Sequence, residues 1–225
     1  MKMKKVKRIG GFVGTGRVLD IGCGDGELLV QFKKVGWRCY GVEPFQDAYE
    51  KAHAMLGEQI YNAELSDCRF PDSYFDCVVL NHVLEHVYDL HETMREVTRI
   101  LAPWGILYIC VPNAGGKQLR VFGLDSAGLD LPRHVYHFSP ETLARLLGQY
   151  GYNTISLAFP LFYDWVSSLW LSISNSLIRK RVLTSLLLGA PIFLVSLTLL
   201  VLDASWRGSI ELLACQGVKP NGLPK

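Results

Sequence analysis

Residues 17–27 read Arg17-Val18-Leu19-Asp20-Ile21-Gly22-Cys23-Gly24-Asp25-Gly26-Glu27, and the predicted architecture follows from them. A short apolar run carries one acid near its end, and three glycines then alternate along the chain. An apolar-periodic segment begins directly afterwards, at Leu28. This order predicts a buried strand, a tight turn and the start of a helix. Glycine at alternate positions lets a backbone pass close beneath a ligand, where a Cβ atom would collide.

A second apolar run, residues 39–42, ends at Glu43, which lies 23 residues after Asp20. In a doubly wound sheet, this spacing brings a carboxylate on the second strand within reach of a ribose diol. The glycine spacing is G-x-G-x-G, which differs from the G-x-G-x-x-G of dinucleotide sites, and no G-x-x-x-x-G-K-[ST] loop occurs. The pattern therefore predicts a ligand with a ribose and without a pyrophosphate.

The run V-L-D-I-G-C-G-D-G, followed by G-V-E-P, resembles motif I and its partner in class I S-adenosylmethionine-dependent methyltransferases. The resemblance implies a Rossmann-like α/β fold with a doubly wound, mostly parallel seven-stranded sheet, and S-adenosyl-L-methionine as the cofactor. It also implies that the last two strands form an antiparallel pair. A glycine turn that merely joins a strand to a helix is the structural alternative.

The same resemblance assigns cofactor contacts to residues at the ends of the first four strands: Asp20, Gly22, Cys23, Gly24, Gly26, Glu43, Pro44, Glu64, Asn81, His82 and Leu84. The residues of the first turn would shape the pocket for the methionine end. Glu43 would accept hydrogen bonds from both ribose hydroxyls, and Pro44 would pack on the adenine. Residues 63–65 fall where the family contacts the adenine edge, although this loop matches the family pattern poorly.

Alternating strand and helix patterns continue to residue 159. Further strands are predicted at 59–61, 75–80, 106–111, 152–157 and 209–215, and helices at 27–35, 45–56, after the Asp89 cap and after the Ser139 cap. Residues 103–105 are predicted to turn the chain. Such alternation predicts a mostly parallel sheet that binds its ligand at the carboxyl ends of the strands.

Length and composition predict one α/β domain, residues 17–159 plus 207–217, with an appendage. The net charge of +2 gives no support for nucleic-acid binding. Six scattered cysteines without a C-x-x-C pair, and no visible signal peptide, predict a cytoplasmic protein with reduced thiols. Residues 1–16 are predicted to be a short basic tail, whereas related methyltransferases have lid helices there, so we expect another segment or a partner to cover the cofactor or the lid to be missing.

Residues 160–206 form an apolar insertion between the last two predicted strands. Within it, residues 182–202 carry no charge in 21 positions, which is long enough for a membrane span. A single span would separate the last two strands, and Pro191 would kink a straight helix. We therefore expect two helices that lie in the inner leaflet, with Arg179-Lys180-Arg181 at the headgroups. A soluble helical cap that packs on the domain is the alternative.

Two histidine-containing segments could carry chemistry. Residues 82–86 spell H-x-x-E-H, an inverted zinc-protease signature, but they follow a strand in a methyl-donor context, and we expect no bound metal. Residues 130–139 resemble the P-R-H-x-x-H-F-S segment of bacterial ubiquinone-type O-methyltransferases. His134 or His137 could deprotonate an acceptor hydroxyl, and Arg133 could hold an acidic group of the acceptor. This segment could instead only close the cofactor pocket.

These observations predict a methyltransferase that acts on a small-molecule or lipid-linked acceptor, at oxygen. A membrane-tethered module that binds the cofactor without turnover, within a glycan or lipid biosynthesis assembly, is a second interpretation. A nicotinamide-dependent reductase is a third, and it would bind NAD(H) in preference to S-adenosylmethionine.

Overall fold

The structure is a computed structural model that describes residues 2–126, 128–159 and 208–216. The described strands are β1 Arg17–Ile21, β2 Arg38–Val42, β3 Ile60–Tyr61, β4 Phe75–Asn81, β5 Leu101–Pro112, β6 Tyr152–Ala158 and β7 Ser209–Gln216. The described helices are α1 Lys2–Val13, α2 Glu27–Lys34, α3 Gln46–Leu56, α4 Leu90–Ile100, α5 Lys117–Phe122 and α6 Pro140–Gln149. Short 3-10 turns cover Leu65–Cys68 and Gly123–Asp125.

The strands form one seven-stranded sheet in the order β3-β2-β1-β4-β5-β7-β6. Strands β1 to β5 are parallel, and β7 is antiparallel to both of its neighbours. The order reverses between β1 and β4, so the first four strands end side by side at what we call the carboxyl edge. The predicted doubly wound sheet with a final antiparallel pair is confirmed.

Both faces of the sheet are covered by helices. One face packs under α4 and α6, and the other packs under α1, α2 and α3. Strand β4 shows the consequence, because residues 77–80 are all fully buried. A near-continuous apolar strand is what a sheet covered on both sides requires.

Two helix starts follow directly from the sequence. The Asp89 side chain accepts a hydrogen bond from the Glu92 N–H at 2.8 Å and caps α4. Ser139 caps α6 in a reciprocal capping box with Thr142, and Pro140 takes the first helical position. These caps fix where the chain leaves the carboxyl edge and runs back along the sheet.

The N-terminal segment differs from the expected basic tail, because residues 2–13 form helix α1. Val6 and Ile9, three residues apart, are buried beneath it against the sheet. Arg8 bonds to Glu211 of β7 at 3.0 Å and to the Ser156 hydroxyl of β6 at 2.7 Å. The helix was missed because basic residues and a Gly-Gly pair obscure its short apolar stripe.

Strand β5 also begins earlier than predicted. Residues 103–105, predicted to turn the chain, lie within β5, where the pairing register with β4 shifts. Trp104 has a φ of 65°, which marks an irregular backbone at this point. The predicted insertion at 160–206 lies outside the described residues. Within residues 2–126, 128–159 and 208–216, no helix combines the length and apolar character needed to cross a bilayer.

Helix α1 is an integral part of this fold, which can be tested with a matched pair of variants. Ile9→Ala removes a side chain with no exposed surface, so we expect the free energy of unfolding to fall by about 2–5 kcal/mol. Lys7→Ala, on the exposed side of the same helix, should change it by less than about 0.5 kcal/mol. Urea denaturation measures both, and equal, negligible effects would mean that residues 2–13 do not pack on the sheet.

Candidate functional site

A carboxylate joins the ends of β1 and β2. Glu43 follows β2 and is buried; its Oε2 accepts a hydrogen bond from the Gly24 N–H at 2.8 Å, and its Oε1 accepts one from the Phe45 N–H at 3.1 Å. The backbone adds two more links, since the N–H groups of Gly22 and Cys23 both donate to the Val42 carbonyl. Each carboxylate oxygen can accept a second hydrogen bond, so Glu43 keeps capacity for two hydroxyl donors.

The turn after β1 is shaped by two glycines. Gly24 has a φ of +56°, and a Cβ atom there would meet nothing within 4 Å, so open space adjoins the turn. Gly22 has a φ of +64°, and a Cβ atom there would lie 2.6 Å from the Val83 side chain of the loop after β4. The left-handed backbone and the close approach both favour glycine.

Asp20 lies beneath this turn in a buried position. Its Oδ1 atom has no hydrogen-bond partner among the residues that the structure describes. Burial raises the pKa of the carboxyl to about 8; nearby Lys5 opposes this shift and Glu43 adds to it. An unpartnered buried acceptor is costly, and a ligand ammonium group would satisfy it.

The β2 end also presents an apolar surface. Pro44 and Phe45 are both exposed there, and the Asn62 side chain holds them by donating to the carbonyls of Glu43 and Pro44 at 2.9 and 3.0 Å. Asn62 is a site residue that the sequence motifs do not indicate, although an amide after the predicted third strand is an available signal. Glu64 is exposed and begins the 3-10 turn that follows.

The end of β4 is connected to α1. Lys5 is buried, and its Nζ donates to Asn81 Oδ1 at 2.8 Å and lies 3.5 Å from a Glu211 carboxylate oxygen. Asn81 is therefore held in place by α1, the segment that the sequence predicts to be a basic tail. Lys5 is a site residue that the sequence did not reveal, because its role depends on where α1 packs.

His82 follows Asn81 with a φ of 59°. Its Nδ1 lies 3.3 Å from the buried Glu85 carboxylate, and its Nε2 lies 3.5 Å from the Cys110 sulfur. Burial alone would lower the pKa of the imidazole, but the adjacent Cys110 sulfur and Glu85 carboxylate outweigh it and raise the pKa to about 10. His82 therefore favours the protonated form near neutral pH.

The histidine-rich segment 130–139 reaches the end of β4 through its backbone. The N–H groups of Val135 and Tyr136 both donate to the Glu85 carbonyl, at 2.8 and 3.2 Å. This contact brings the His134 and His86 rings to a centroid distance of 4.7 Å. The two segments, separated in the sequence, thus form one cluster beside the carboxyl edge.

The ring contacts in this cluster indicate which nitrogens carry protons. His134 Nδ1 lies 3.1 Å from the Gly128 carbonyl and His137 Nε2 lies 3.1 Å from the Leu129 carbonyl, so both nitrogens act as donors. In the neutral ring, His134 Nε2 then carries the lone pair; it lies 3.8 Å from a carboxylate oxygen of Asp130, which is beyond hydrogen-bond distance. Arg133 points outward, pairs with Asp130 at 2.7 Å and is largely exposed.

Glu85, His86 and His134 could hold a cation, because their ligand atoms all lie within 4.8 Å of one another. One carboxylate with two imidazoles suits a divalent transition metal. The expectation of no bound metal stays a prediction. The inverted zinc-protease pattern fits poorly, since residues 82–88 form turns rather than a helix and the His82 nitrogens contact Glu85 and Cys110.

We call the space beside the Glu43 carboxylate, the Asp20 oxygen and the turn at Gly24 the crevice. The structure does not bring every predicted residue to the crevice. The Leu84 side chain is fully buried in the core beneath α4, and the Cys23 side chain packs beneath the turn in the opposite core. Burial raises the pKa of the Cys23 thiol, which keeps it protonated. Gly26 instead lets the start of α2 pack closely against α3, because a Cβ atom there would lie only 3.1 Å from Ala52.

A comparison with protein families matches residues 2–157 to the model described as "Methyltransferase domain". The chain belongs to this methyltransferase family. The ubiquinone biosynthesis O-methyltransferase of Bradyrhizobium sp. (strain ORS 278) is 30% identical to this methyltransferase over 141 residues, covering 58% of the chain and 56% of that protein. This methyltransferase therefore spans little more than half the length of that curated relative.

Solved structures share the fold of this methyltransferase. The S-adenosylmethionine-dependent methyltransferase of Archaeoglobus fulgidus superposes with a TM-score of 0.62 at 22% identity, covering 96% of this chain and 92% of that one. The 1,6-didemethyltoxoflavin-N1-methyltransferase of Burkholderia thailandensis, solved with S-adenosylhomocysteine, gives a TM-score of 0.60 at 14% identity, with 96% and 79% coverage. At these identities the likeness concerns the fold.

S-adenosylmethionine is the cofactor of the family, and the crevice of this methyltransferase fits it. The unpartnered Asp20 oxygen suits the ammonium group of the methionine end. The open space at Gly24 leaves room for the nucleoside, and Glu43 retains acceptor capacity for a ribose diol. The exposed Pro44 and Phe45 offer an apolar surface to the base.

The buried Asp20 should make the stability of this methyltransferase pH-dependent. Its folded-state pKa of about 8 lies above the ordinary value of 3.8 for an aspartate, so between these pH values the folded protein holds a proton that the unfolded chain has lost. This group therefore lowers stability as pH rises, by up to about 1.4 kcal/mol per pH unit. Asp20→Asn should remove that slope while weakening S-adenosylhomocysteine binding.

Urea denaturation of both proteins between pH 5 and pH 8 checks this expectation. As pH rises, the free energy of unfolding of Asp20→Asn should increase relative to that of the wild type. A constant difference across this range would contradict a protonated, unpartnered Asp20. Asp47→Asn, an exposed acid at the start of α3, is the matched control and should show no such trend.

Proposed function

We propose that this chain transfers the methyl group of S-adenosylmethionine to an oxygen atom of a small-molecule or lipid-linked acceptor. The observation that carries the proposal is the junction at the carboxyl edge, where Glu43 bonds to the Gly24 N–H beside the unpartnered oxygen of Asp20. Together these groups offer acceptors for a ribose diol and for an ammonium group. Only a ligand with both groups would use both.

The chain's own residues would bind and orient the cofactor. Glu43 would accept the ribose hydroxyls, and Asp20 would accept the methionine ammonium group in its ionised form. Lys5, held 2.8 Å from Asn81, adds a positive charge at the end of β4. When bound, the cofactor supplies a methyl group on a sulfonium, which is already a good leaving group, so the protein contributes mainly positioning and the exclusion of water.

The acceptor must lose a proton if it is a hydroxyl, and His134 is the residue we assign to this step. Its Nδ1 donates to the Gly128 carbonyl, which leaves the Nε2 lone pair as an acceptor. The ring is mostly buried and contacts the His86 ring in the loop after β4. His137 is more exposed, and we assign it the lesser role of closing the segment. The Arg133 guanidinium is paired with Asp130, and we assign it the lesser role of contacting an acidic group of the acceptor.

The acceptor class rests on two further observations. The named relative is a ubiquinone biosynthesis O-methyltransferase, which supports oxygen as the acceptor atom here. The uncharged run 182–202 within the insertion supports an acceptor that resides in a lipid phase, with the insertion at 160–206 in contact with the inner face of a membrane.

The assignment of Glu43 is testable by binding alone. Glu43→Ala removes a charged acceptor of two hydroxyl hydrogen bonds, so we expect S-adenosylhomocysteine binding to weaken by on the order of 2–3 kcal/mol. Glu43→Gln retains one oxygen acceptor for the Gly24 N–H and should lose less. Isothermal titration calorimetry measures both.

Glu58→Ala is the matched control, because Glu58 is an exposed acid outside the crevice. It should leave the affinity unchanged. Unaltered affinity in Glu43→Ala would refute the ribose assignment, and tighter binding of NAD(H) than of S-adenosylhomocysteine would favour a reductase instead.

Substitution of each histidine tests whether His134 or His137 is the base. His134→Gln should lower kcat about 100-fold, because it removes the proton acceptor, while the affinity for S-adenosylhomocysteine stays the same. His137→Gln should lower kcat only a few-fold. Formation of S-adenosylhomocysteine with a panel of soluble phenols and catechols measures the rates.

Two outcomes would contradict this part of the proposal. A larger loss in His137→Gln than in His134→Gln would exchange their roles. Cofactor binding without product from any acceptor, in the presence or absence of lipid, would favour a membrane-tethered module that binds the cofactor without turnover.

A further inference from the structure

Exposed apolar side chains are concentrated at one edge of the sheet. The described residues include ten large hydrophobic side chains that are exposed. Seven of them lie at the carboxyl edge or in loops that leave it: Phe45, Tyr88, Val121, Leu124, Leu131, Val135 and Leu157. The other three, Val35, Met55 and Trp104, lie at the opposite edge, where α2 and α3 end and β5 begins. Such clustering marks an interaction surface.

Four of the seven belong to one folded excursion after β5, residues 114–137. The Ala114 N–H donates to the Phe138 carbonyl at 2.8 Å and closes the base of the excursion. Its far part is tied to the end of β4, where the Val135 N–H donates to the Glu85 carbonyl at 2.8 Å. The excursion therefore holds its apolar side chains beside the candidate site. We call Tyr88, Val121, Leu124, Leu131 and Val135 the apolar rim.

The insertion leaves and returns at the same edge. Strand β6 ends at Ala158, and β7 begins at Ser209, which pairs with Pro112 at the end of β5. The Asn113 N–H donates to the Gly208 carbonyl at 2.8 Å, directly beside the base of the excursion. The described chain therefore stops before the insertion and resumes after it at this edge, and the insertion contains the uncharged run 182–202.

We propose that the carboxyl edge docks on a lipid bilayer, so that the apolar rim enters the interface and the crevice opens toward the lipid phase. The inference rests on the proposed function and deepens it, because it identifies the partner that presents a lipid-linked acceptor. Exposed leucine and aromatic side chains are stabilised in the interface in proportion to the apolar area they bury. An acceptor with an apolar tail then reaches the crevice without leaving the bilayer completely.

The orientation follows from the arrangement of the two ends of the sheet. Bilayer binding through the insertion alone would not determine how the α/β domain is oriented relative to the bilayer. The rim supplies a second contact at the same edge, whereas three of the ten exposed large hydrophobic side chains among the described residues lie at the opposite edge. Two contacts on one side fix that side against the bilayer.

The test compares two double variants of the full chain. Leu124→Gln with Leu131→Gln changes rim residues that are 68% and 60% exposed. Met55→Gln with Trp104→Gln changes residues of the opposite edge that are 48% and 46% exposed. Flotation with vesicles of phosphatidylcholine and phosphatidylglycerol at about 3:1 measures the bound fraction. We expect the rim variant to partition about tenfold less than the wild type and the control variant to partition equally.

Hydrogen–deuterium exchange of the wild-type chain gives a second readout that needs no variant. Vesicles should protect amides of residues 117–136 and leave those of residues 101–105 unchanged. A rim variant that partitions like the wild type, a control variant that loses as much, or equal protection of both edges would overturn the orientation. Rim variants that bind vesicles normally but unfold at lower urea would show that the insertion, rather than lipid, covers the rim.

These outcomes are separate from those of the proposed function. Vesicle binding is measured without cofactor or acceptor, so a chain that docks by its rim and forms no S-adenosylhomocysteine refutes the activity alone. A chain that methylates soluble phenols and ignores vesicles refutes the docking alone.

Discussion

The hydrogen bond between Glu43 and the Gly24 N–H is the interaction on which the site depends. It joins the end of β2 to the turn after β1, two segments that are neighbours only because the sheet places their strands side by side. A buried carboxylate requires donors, and the turn supplies an unpaired N–H because its backbone is left-handed and cannot continue a strand. Each oxygen of the same carboxylate can still accept a second hydrogen bond, so Glu43 serves both the stability of the turn and the binding of a ligand.

A second constraint comes from the charges beneath α1. Asp20, Asn81 and Glu211 come from three strands, and Lys5 of α1 lies among them. Burying these groups is costly unless each has a partner, and α1 supplies the cations that they need. The acceptor left over, on Asp20, is the one that a cofactor ammonium group would use.

Much of this could be predicted from the sequence because the local signals agree with the fold. The glycine turn, the Asp89 and Ser139 caps and the apolar strand β4 each specify their own backbone. Helix α1 could not be predicted, because its short apolar stripe has meaning only against the sheet that buries it. The same holds for Lys5 and Asn62, whose partners lie on other elements, and for Leu84, whose side chain is buried in the core.

The histidine cluster is another feature that the sequence alone could not predict. The sequence marked residues 82–86 and 130–139 separately, and only the pairing of Val135 with the Glu85 carbonyl brings them together. A crystal structure of the chain with S-adenosylhomocysteine tests the central claim most directly. The account predicts that both ribose hydroxyls lie within about 3 Å of the Glu43 carboxylate while its bond to the Gly24 N–H persists. A ribose bound elsewhere, or a Glu43 side chain that contacts only protein, would contradict it.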